Sequence, residues 1–358
     1  MESKKSKKTN QNRILFILKL NENYGPEHHP HIGLSTGLYN SSFFMSEMLE
    51  EDHIDSKMVV VNDNNDIDRE VKSYNPTHVI IEALWVVPSK FHVLAKLHPN
   101  VKWIIRLHSE IPFLANEGIA MKWLGEYSEH TNVVIACNSP QATEDIKFYL
   151  SHRNGWNKKI TKERVAFLPN FYPQGFKTKM LDKSKDIIDI ACFGAIRPLK
   201  NHLIQAMAAI QFADKINKKL NFHINFRIQQ KGEPILNNLI ALFSHLEHKG
   251  HKLVIHDWAT REEFLYLCST MDIGMQVSLN ETFNIVGADI VSQGVPLVPS
   301  PEIPWASKHF TTRQTNTSDI FDAICKTYNF PRINVYLNQL LLKSYTNKSR
   351  KIWIKYFN

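Results

Sequence analysis

Cysteine is scarce in this chain of 358 residues: Cys137, Cys192, Cys268 and Cys325, each alone. With no CxxC pair, the sequence offers neither a zinc-site spacing nor a disulfide framework. Three of the four lie in apolar runs, where a thiol behaves as a small hydrophobe, and a reducing, cytoplasmic setting is the expectation. Long hydrophobic runs are missing as well. No stretch approaches the roughly 18 apolar residues of a membrane span. The run from Ile14 to Leu18 that follows the basic start is too short for the core of a signal peptide and reads as a strand. Acids are missing from one end. None follows Asp322, while Lys326, Arg332, Lys343, Lys348, Arg350, Lys351 and Lys355 do.

The composition that remains is ordinary for a soluble globular protein, with 43% hydrophobic and 22% charged residues. The length suits two domains, each with a core that needs no staples. The formal charge is +8. It is unevenly placed, with Lys4, Lys5, Lys7, Lys8 and Arg13 at the start and the acid-free segment at the end. A polyanionic partner follows from this: nucleic acid, or an anionic membrane surface.

Residues 1–12 are polar, lysine-rich and without periodicity, and are expected to form a disordered basic arm. Short Ile- and Val-rich stretches at 13–20, 57–61, 78–82, 102–107 and 133–136 then alternate with helix-like segments at 39–50, 90–97, 120–129 and 141–150. Strands apolar nearly throughout are those of a parallel sheet covered on both faces. A last strand at 165–168 precedes Pro169-Asn170-Phe171-Tyr172-Pro173, a connection between domains. A second series follows, with strands at 187–193, 222–228, 252–256, 273–277 and 295–298 and helices at 202–218, 235–249, 261–269 and 284–293. The predicted fold class is therefore α/β, two Rossmann-like doubly wound domains facing each other across a cleft. They cover 13–172 and 173–332, and a C-terminal helix at 333–358 is expected to pack back on the first domain.

The cluster richest in chemistry is Glu281-Thr282-Phe283-Asn284-Ile285-Val286-Gly287-Ala288-Asp289, leading to Gly294-Val295-Pro296. An acid leaves a strand, a helix begins at once, and a second acid follows eight residues later. The helix start presents N–H groups and a positive dipole end to an anion. Each carboxylate offers two acceptor oxygens, which suits sugar hydroxyls for Glu281 and a ribose diol for Asp289. A second cluster, Phe193-Gly194-Ala195-Ile196-Arg197-Pro198-Leu199-Lys200-Asn201, follows the first strand of the second domain. Gly194 permits a tight turn. Arg197 and Lys200 set two cations where a departing diphosphate would gather charge.

These two clusters resemble the retaining GT-B glycosyltransferases of the acid-x7-acid (group 1) family. Glu281 and Asp289 fall at the two acid positions, and Arg197 and Lys200 at the paired basic positions. Arg197-Pro198-Leu199-Lys200-Asn201-His202 and Gly37-Leu38-Tyr39-Asn40-Ser41 look similar to phage-encoded members. One departure is that the second acid is Asp, one methylene shorter than the usual Glu. The resemblance implies a UDP-sugar donor, UDP-glucose in the first instance, retention of anomeric configuration and no required metal. It implies a first domain on the acceptor side and a second that binds the nucleotide sugar. The implied catalytic residues are His108, Glu281, Arg197 and Lys200. The implied donor contacts are Gly37, Gly194, Arg197, Lys200, Glu281, Thr282, Phe283, Asn284, Ile285 and Asp289. His108 matches the histidine near the reacting carbon, in Arg106-Leu107-His108-Ser109-Glu110, and Asn138 and Ser139 line the same cleft. No carboxylate nucleophile is assignable, so a front-face mechanism is the default.

The first domain departs further from the pattern. In place of a compact glycine-rich loop stands a long one, residues 21–37, and Gly33 to Ser41 is the expected phosphate- and acceptor-facing part. Its His28, His29 and His31 fit no common metal spacing. Asp66-Ile67-Asp68 matches a metal-binding Asp-x-Asp pattern, but in a polar run, 62–69, that reads as a loop without a metal role. The expected acceptor is a hydroxymethylated base, such as 5-hydroxymethylcytosine, in phage-type double-stranded DNA. The basic arm and C-terminal segment would meet phosphates, and Trp85, Phe113 and Trp123 are candidates to stack on an extruded base. The alternatives are a glycan or lipid acceptor at an anionic membrane, and a non-catalytic nucleotide-sugar binder.

Overall fold

A computed structural model describes residues 12–19, 36–225 and 232–358. The arm up to residue 11, most of the long loop with its three histidines, and the end of the strand expected at 222–228 lie outside the described residues.

Among the described residues, eleven strands form two all-parallel sheets. The first holds β1 (Arg13–Lys19), β2 (Asp55–Val61), β3 (His78–Glu82), β4 (Lys102–Leu107), β5 (Val133–Cys137) and β6 (Val165–Phe167), in the order β2-β1-β3-β4-β5-β6. The second holds β7 (Ile187–Ala191), β8 (Lys219–Asn225), β9 (Lys252–His256), β10 (Ile273–Gln276) and β11 (Leu297–Pro299), in the order β11-β10-β7-β8-β9. Both sheets are parallel, as expected, and the reason is visible in β1. Ile14, Leu15, Phe16 and Ile17 are all fully buried, so both faces need cover, and helices supply it.

Helices used below are α1 (Gly37–Glu51), α2 (Asp66–Tyr74), α3 (His202–Lys215), α4 (Arg261–Thr270), α5 (Ile285–Ser292) and α6 (Pro331–Phe357). The start of α4 is fixed by a reciprocal cap, with Thr260 N–H donating to Glu263 at 2.9 Å and Glu263 N–H to Thr260 at 3.4 Å.

Three expectations are corrected. The run 62–69 is not all loop, because α2 begins at Asp66. Both acids of Asp66-Ile67-Asp68 lie in its first turn, where carboxylates suit the helix dipole. Asp66 accepts from Asn62 N–H at 3.0 Å and Asp68 from Lys72 at 2.7 Å. The strand expected from 222 already begins at Lys219, in register with β7 through Ile187 opposite Lys219. Its polar first residues hid its beginning. The last strand starts at Leu297 rather than 295, since Gly294 turns at φ 78° and Pro296 has no N–H to pair.

One core runs through both sheets. It joins Phe16, Phe44, Tyr172 and Trp353 to Phe193, Phe283 and Trp305. Trp353, on α6, packs 5.9 Å from the Phe16 ring and donates to the Pro169 carbonyl at 2.7 Å. The last helix thereby clamps the first sheet. Replacing Trp353 by alanine removes a fully buried indole and is expected to cost roughly 3–5 kcal/mol, read as a lower denaturant midpoint at unchanged m-value.

Candidate active site

In an open parallel sheet, ligands sit beyond the carboxyl ends of the strands where strand order reverses. In the second sheet that point lies between β7 and β10. The chain leaving β7 carries Gly194, Arg197 and Lys200. The chain leaving β10 carries Asn280, Glu281 and Thr282. The topology thus brings both sequence clusters to one crevice.

A network of buried amides holds the two loops together. Gln276, at the end of β10, donates to the Phe193 carbonyl at 2.9 Å and accepts from Asn284 at 2.9 Å. Gln205 accepts from Val277 N–H at 2.9 Å. Asn201, at φ 60° before α3, donates to the carbonyls of Val277 (3.1 Å) and Gln314 (2.7 Å). Gly194 turns at φ 113°, where a side chain would be strained, and its N–H donates to Asn225 at 3.0 Å.

Within this frame Lys200 and Glu281 form an ion pair, their side chains 12% and 8% exposed. The Arg197 guanidinium lies 4.9 Å from the ring centre of Phe113, a first-domain residue. Burial pulls the Arg197 pKa below its usual range against the opposing pull of Glu281. Two cations and one carboxylate are therefore held, half-buried, at the mouth of the crevice.

The first domain supplies the opposite wall from the carboxyl ends of β3, β4 and β5. Glu82 and Arg106 are both fully buried, with Arg106 donating to each Glu82 oxygen at 3.2 Å. His108 Nε2 bonds the same carboxylate. Burial lowers the His108 pKa, Arg106 adds to this, and Glu82 opposes it. Burial alone would raise the Glu82 carboxyl, but Arg106 and His108 outweigh it and hold it low. Arg106 also donates to the Leu168 carbonyl at 3.0 Å and to Asn170 at 2.5 Å. The ring of His108 thus rests on a rigid, charged floor.

Direct contacts join the two walls. Asn138 donates to Thr282 at 3.0 Å, Thr282 to the His108 carbonyl at 3.2 Å, and Asn280 to Glu110 at 2.9 Å. Gly37, the first residue of α1, meets Ile285, the first of α5. A Cβ on Gly37 would come within 3.3 Å of the Ile285 side chain. The two helix starts face each other across the cleft.

Four of the donor residues expected from sequence take structural positions. Phe283 is 1% exposed and packs on Trp305 and Tyr345, and its carbonyl accepts from Trp305 at 2.6 Å. Its side chain faces the core, not the crevice. Asn284 caps α5, accepting from Gly287 N–H at 2.6 Å. Thr282 bridges the domains. Asp289 is 2% exposed, and one oxygen accepts from Tyr172 at 2.7 Å and Arg261 at 2.9 Å. A ribose reaching Asp289 shares it with Arg261. Burial raises the Asp289 carboxyl, and Arg261 and Tyr172 reverse this only in part.

Sequence reading gave no role to Glu82, Glu110, Gln205, Gln276 or Arg261. Some signal was present. Gln276 is a polar residue inside an apolar strand, and Glu82 ends one. Glu82 meets Arg106 24 residues away, however, and Gln276 meets the Phe193 carbonyl 83 residues away. Among the described residues, no group of three or more His, Cys, Asp or Glu could hold a metal ion.

No protein-family model matches this sequence, and no curated protein matches it. Solved structures do match. A trehalose-6-phosphate synthase, OtsA, aligns over 97% of this chain and 99% of its own, with a TM-score of 0.72 at 11% identity. The fold is GT-B. The E. coli trehalose-6-phosphate structure bound with UDP-2-fluoro glucose aligns over 96% and 98%, with a TM-score of 0.67 at 10% identity. A trehalose-6-phosphate synthase studied for enzymatic glycosyltransfer with retention aligns over 81% and 76%, with a TM-score of 0.62 at 12% identity.

Proposed function

We propose that this protein is a retaining glycosyltransferase that moves glucose from UDP-glucose to an acceptor hydroxyl. The observation that carries this reading is the convergence of Arg197, Lys200 and Glu281 at the switch point of the second sheet. Across the cleft from them lie the His108 carbonyl and Glu110, bonded to Thr282 and Asn280. The likeness to a structure bound with UDP-2-fluoro glucose supports the donor class. The likeness to a synthase studied for transfer with retention supports the stereochemistry.

In this reading Arg197 and Lys200 bind the diphosphate and stabilise the charge that builds on it as the glycosidic bond breaks. Fixed cations in a half-buried crevice need no reorganisation as that charge develops. The start of α5 adds its N–H groups and dipole. Glu281 binds sugar hydroxyls, and Asp289 reaches the ribose in company with Arg261. His108 lies at the sugar from the acceptor side, its ring oriented by Glu82. Gly194 and Gly37 keep both walls close to the donor. The departing phosphate helps to deprotonate the acceptor hydroxyl on the same face.

Two cations in this position replace the work of a divalent metal. Excess chelator is therefore expected to leave turnover unchanged, and strict dependence on an added divalent ion would overturn that assignment. The test of the function is a panel of UDP- and GDP-sugars, offered with and without hydroxymethylated DNA, plain DNA and lipid acceptors, with products read by mass. The reading expects consumption of UDP-glucose and release of UDP. A protein that binds UDP-glucose and never turns it over with any acceptor would be a binder instead.

For the acceptor, hydroxymethylated DNA is the first reading, on the strength of the basic surface. A glycan or lipid acceptor is the second, and a structural observation favours it. Of the three aromatics read as base-stacking candidates, Trp85 and Trp123 pack on the first-domain core and Phe113 lies against Arg197. The basic C-terminal helix, meanwhile, carries large exposed hydrophobic side chains.

A further inference from the structure

Helix α6 has two faces of opposite character. Asn334, Val335, Asn338, Leu342, Thr346, Ser349, Trp353 and Phe357 are buried against the rest of the protein. On the other side, Ile333 (53% exposed), Tyr336 (65%) and Leu340 (50%) recur at helical spacing in water. Phe330, just before the helix, and Met180, beside Arg332, extend the apolar patch at 52% and 62% exposure. The outer face then turns basic, with Lys343, Lys348, Lys351 and Lys355 exposed. The helix has no acidic residue to answer them. A cavity of about 380 Å³ opens beside the apolar end, walled by Met180, Phe330 and Ile333 and rimmed by Lys179, Lys183 and Arg332. The acid at that cavity, Asp272, is 3% exposed and paired with Lys185.

We propose that the outer face of α6, together with Phe330 and Met180, docks the protein on an anionic lipid bilayer. Apolar side chains at one end and lysines at the other are what a surface of acyl chains beneath acidic headgroups accepts. Each lysine or arginine near such a surface adds roughly fivefold to binding. Nucleic acid answers the lysines but leaves the large hydrophobic side chains in water. A second copy of this chain brings the same acid-free helix and so no counter-charge. The proposal stands apart from the chemistry of the cleft, because none of these residues belongs to the donor site.

Full-length protein is sedimented with phosphatidylcholine vesicles and with vesicles containing about a third phosphatidylserine. Two variants accompany it: Ile333→Ser with Tyr336→Ser and Leu340→Ser, and Lys343→Gln with Lys348→Gln and Lys351→Gln. All six side chains are exposed, so both variants keep the fold, which circular dichroism and melting check. The wild type is expected to sediment with the anionic vesicles and weakly with the neutral ones, and to be released by salt. Each variant is expected to bind about tenfold more weakly or worse, with acceptor-free hydrolysis of UDP-glucose unchanged. Failure of the wild type to bind anionic vesicles would overturn the proposal, as would binding of both variants at the wild-type level. It would also be overturned by a low-salt shift of duplex DNA, lost in the lysine variant, without vesicle binding. A dimer in solution broken by the serine variant would assign the face to self-association instead. Vesicle binding without UDP-glucose turnover would uphold the docking surface and sink the transferase reading, so the two fail separately.

Discussion

Converting Arg197 and Lys200 together to alanine is expected to lower release of UDP from UDP-glucose by about 1000-fold or more. One preorganised group aimed at developing charge is worth roughly 100–1000-fold, and in the proposed mechanism this pair acts on one diphosphate. The two residues should not contribute equally. Arg197 rests over Phe113, so Arg197→Ala removes a cation and loosens the contact between the domains. Lys200 neutralises Glu281, so Lys200→Ala leaves a carboxylate 8% exposed without its cation. Stranding a buried charge costs roughly 3–5 kcal/mol. A fall in melting temperature is therefore expected for Lys200→Ala and a smaller one for Arg197→Ala. Steady-state kinetics at a temperature where all variants are folded separates loss of a group from loss of fold. Activity of the double variant within tenfold of wild type would remove the pair from the mechanism.

The second large effect is expected at Glu281. Glu281→Gln keeps the shape and removes the charge, and turnover should fall by roughly 10–1000-fold, the scale of one charged contact to substrate. The same change releases Lys200 from its partner. Affinity for UDP alone should therefore hold or tighten while transfer falls. That split distinguishes a sugar-binding carboxylate from a merely structural one, whose loss would weaken UDP binding and turnover together. Wild-type turnover in Glu281→Gln contradicts the role outright.

Much of the architecture is legible in the chain because parallel strands buried on both faces are nearly all apolar. The segments 78–82 and 102–107 are read to the residue on that ground, and 252–256 is read to the residue although β9 is a partly exposed edge strand. A strand with two polar residues among its first three is misread, as β8 is, with Lys219 and Asn221 at its start. Helix α2 is hidden because its first turn is Asp66-Ile67-Asp68, a composition shared by loops and helix starts. The four residues Arg197, Lys200, Glu281 and Asp289 stand out because each cluster is continuous in sequence. What holds them does not stand out. Glu82 meets Arg106 and His108 only through the pairing of β3 with β4. Gln276 meets Phe193 only because β10 lies beside β7. Spacing along the chain carries no record of such neighbours. Phe283 shows the converse, a residue inside the motif whose side chain faces the core.

In the proposed donor site the two acids differ in what a sugar nucleotide would have to displace. Glu281 is paired with Lys200. Asp289 is paired with Arg261, which lies 4.7 Å from the Phe44 ring centre and bonds both Asp289 and Tyr172. Arg261 therefore ties Asp289 to the first domain and to the connection between the two.

Calorimetric titration of UDP into the wild type and into Arg197→Ala tests the central claim most directly, because it asks for the donor site and its cation without requiring the acceptor. The account predicts one site in the wild type and binding weakened about tenfold or more in the variant, the scale of one lost charge-assisted contact. No heat of binding in the wild type, or equal affinity in a folded Arg197→Ala, would contradict it.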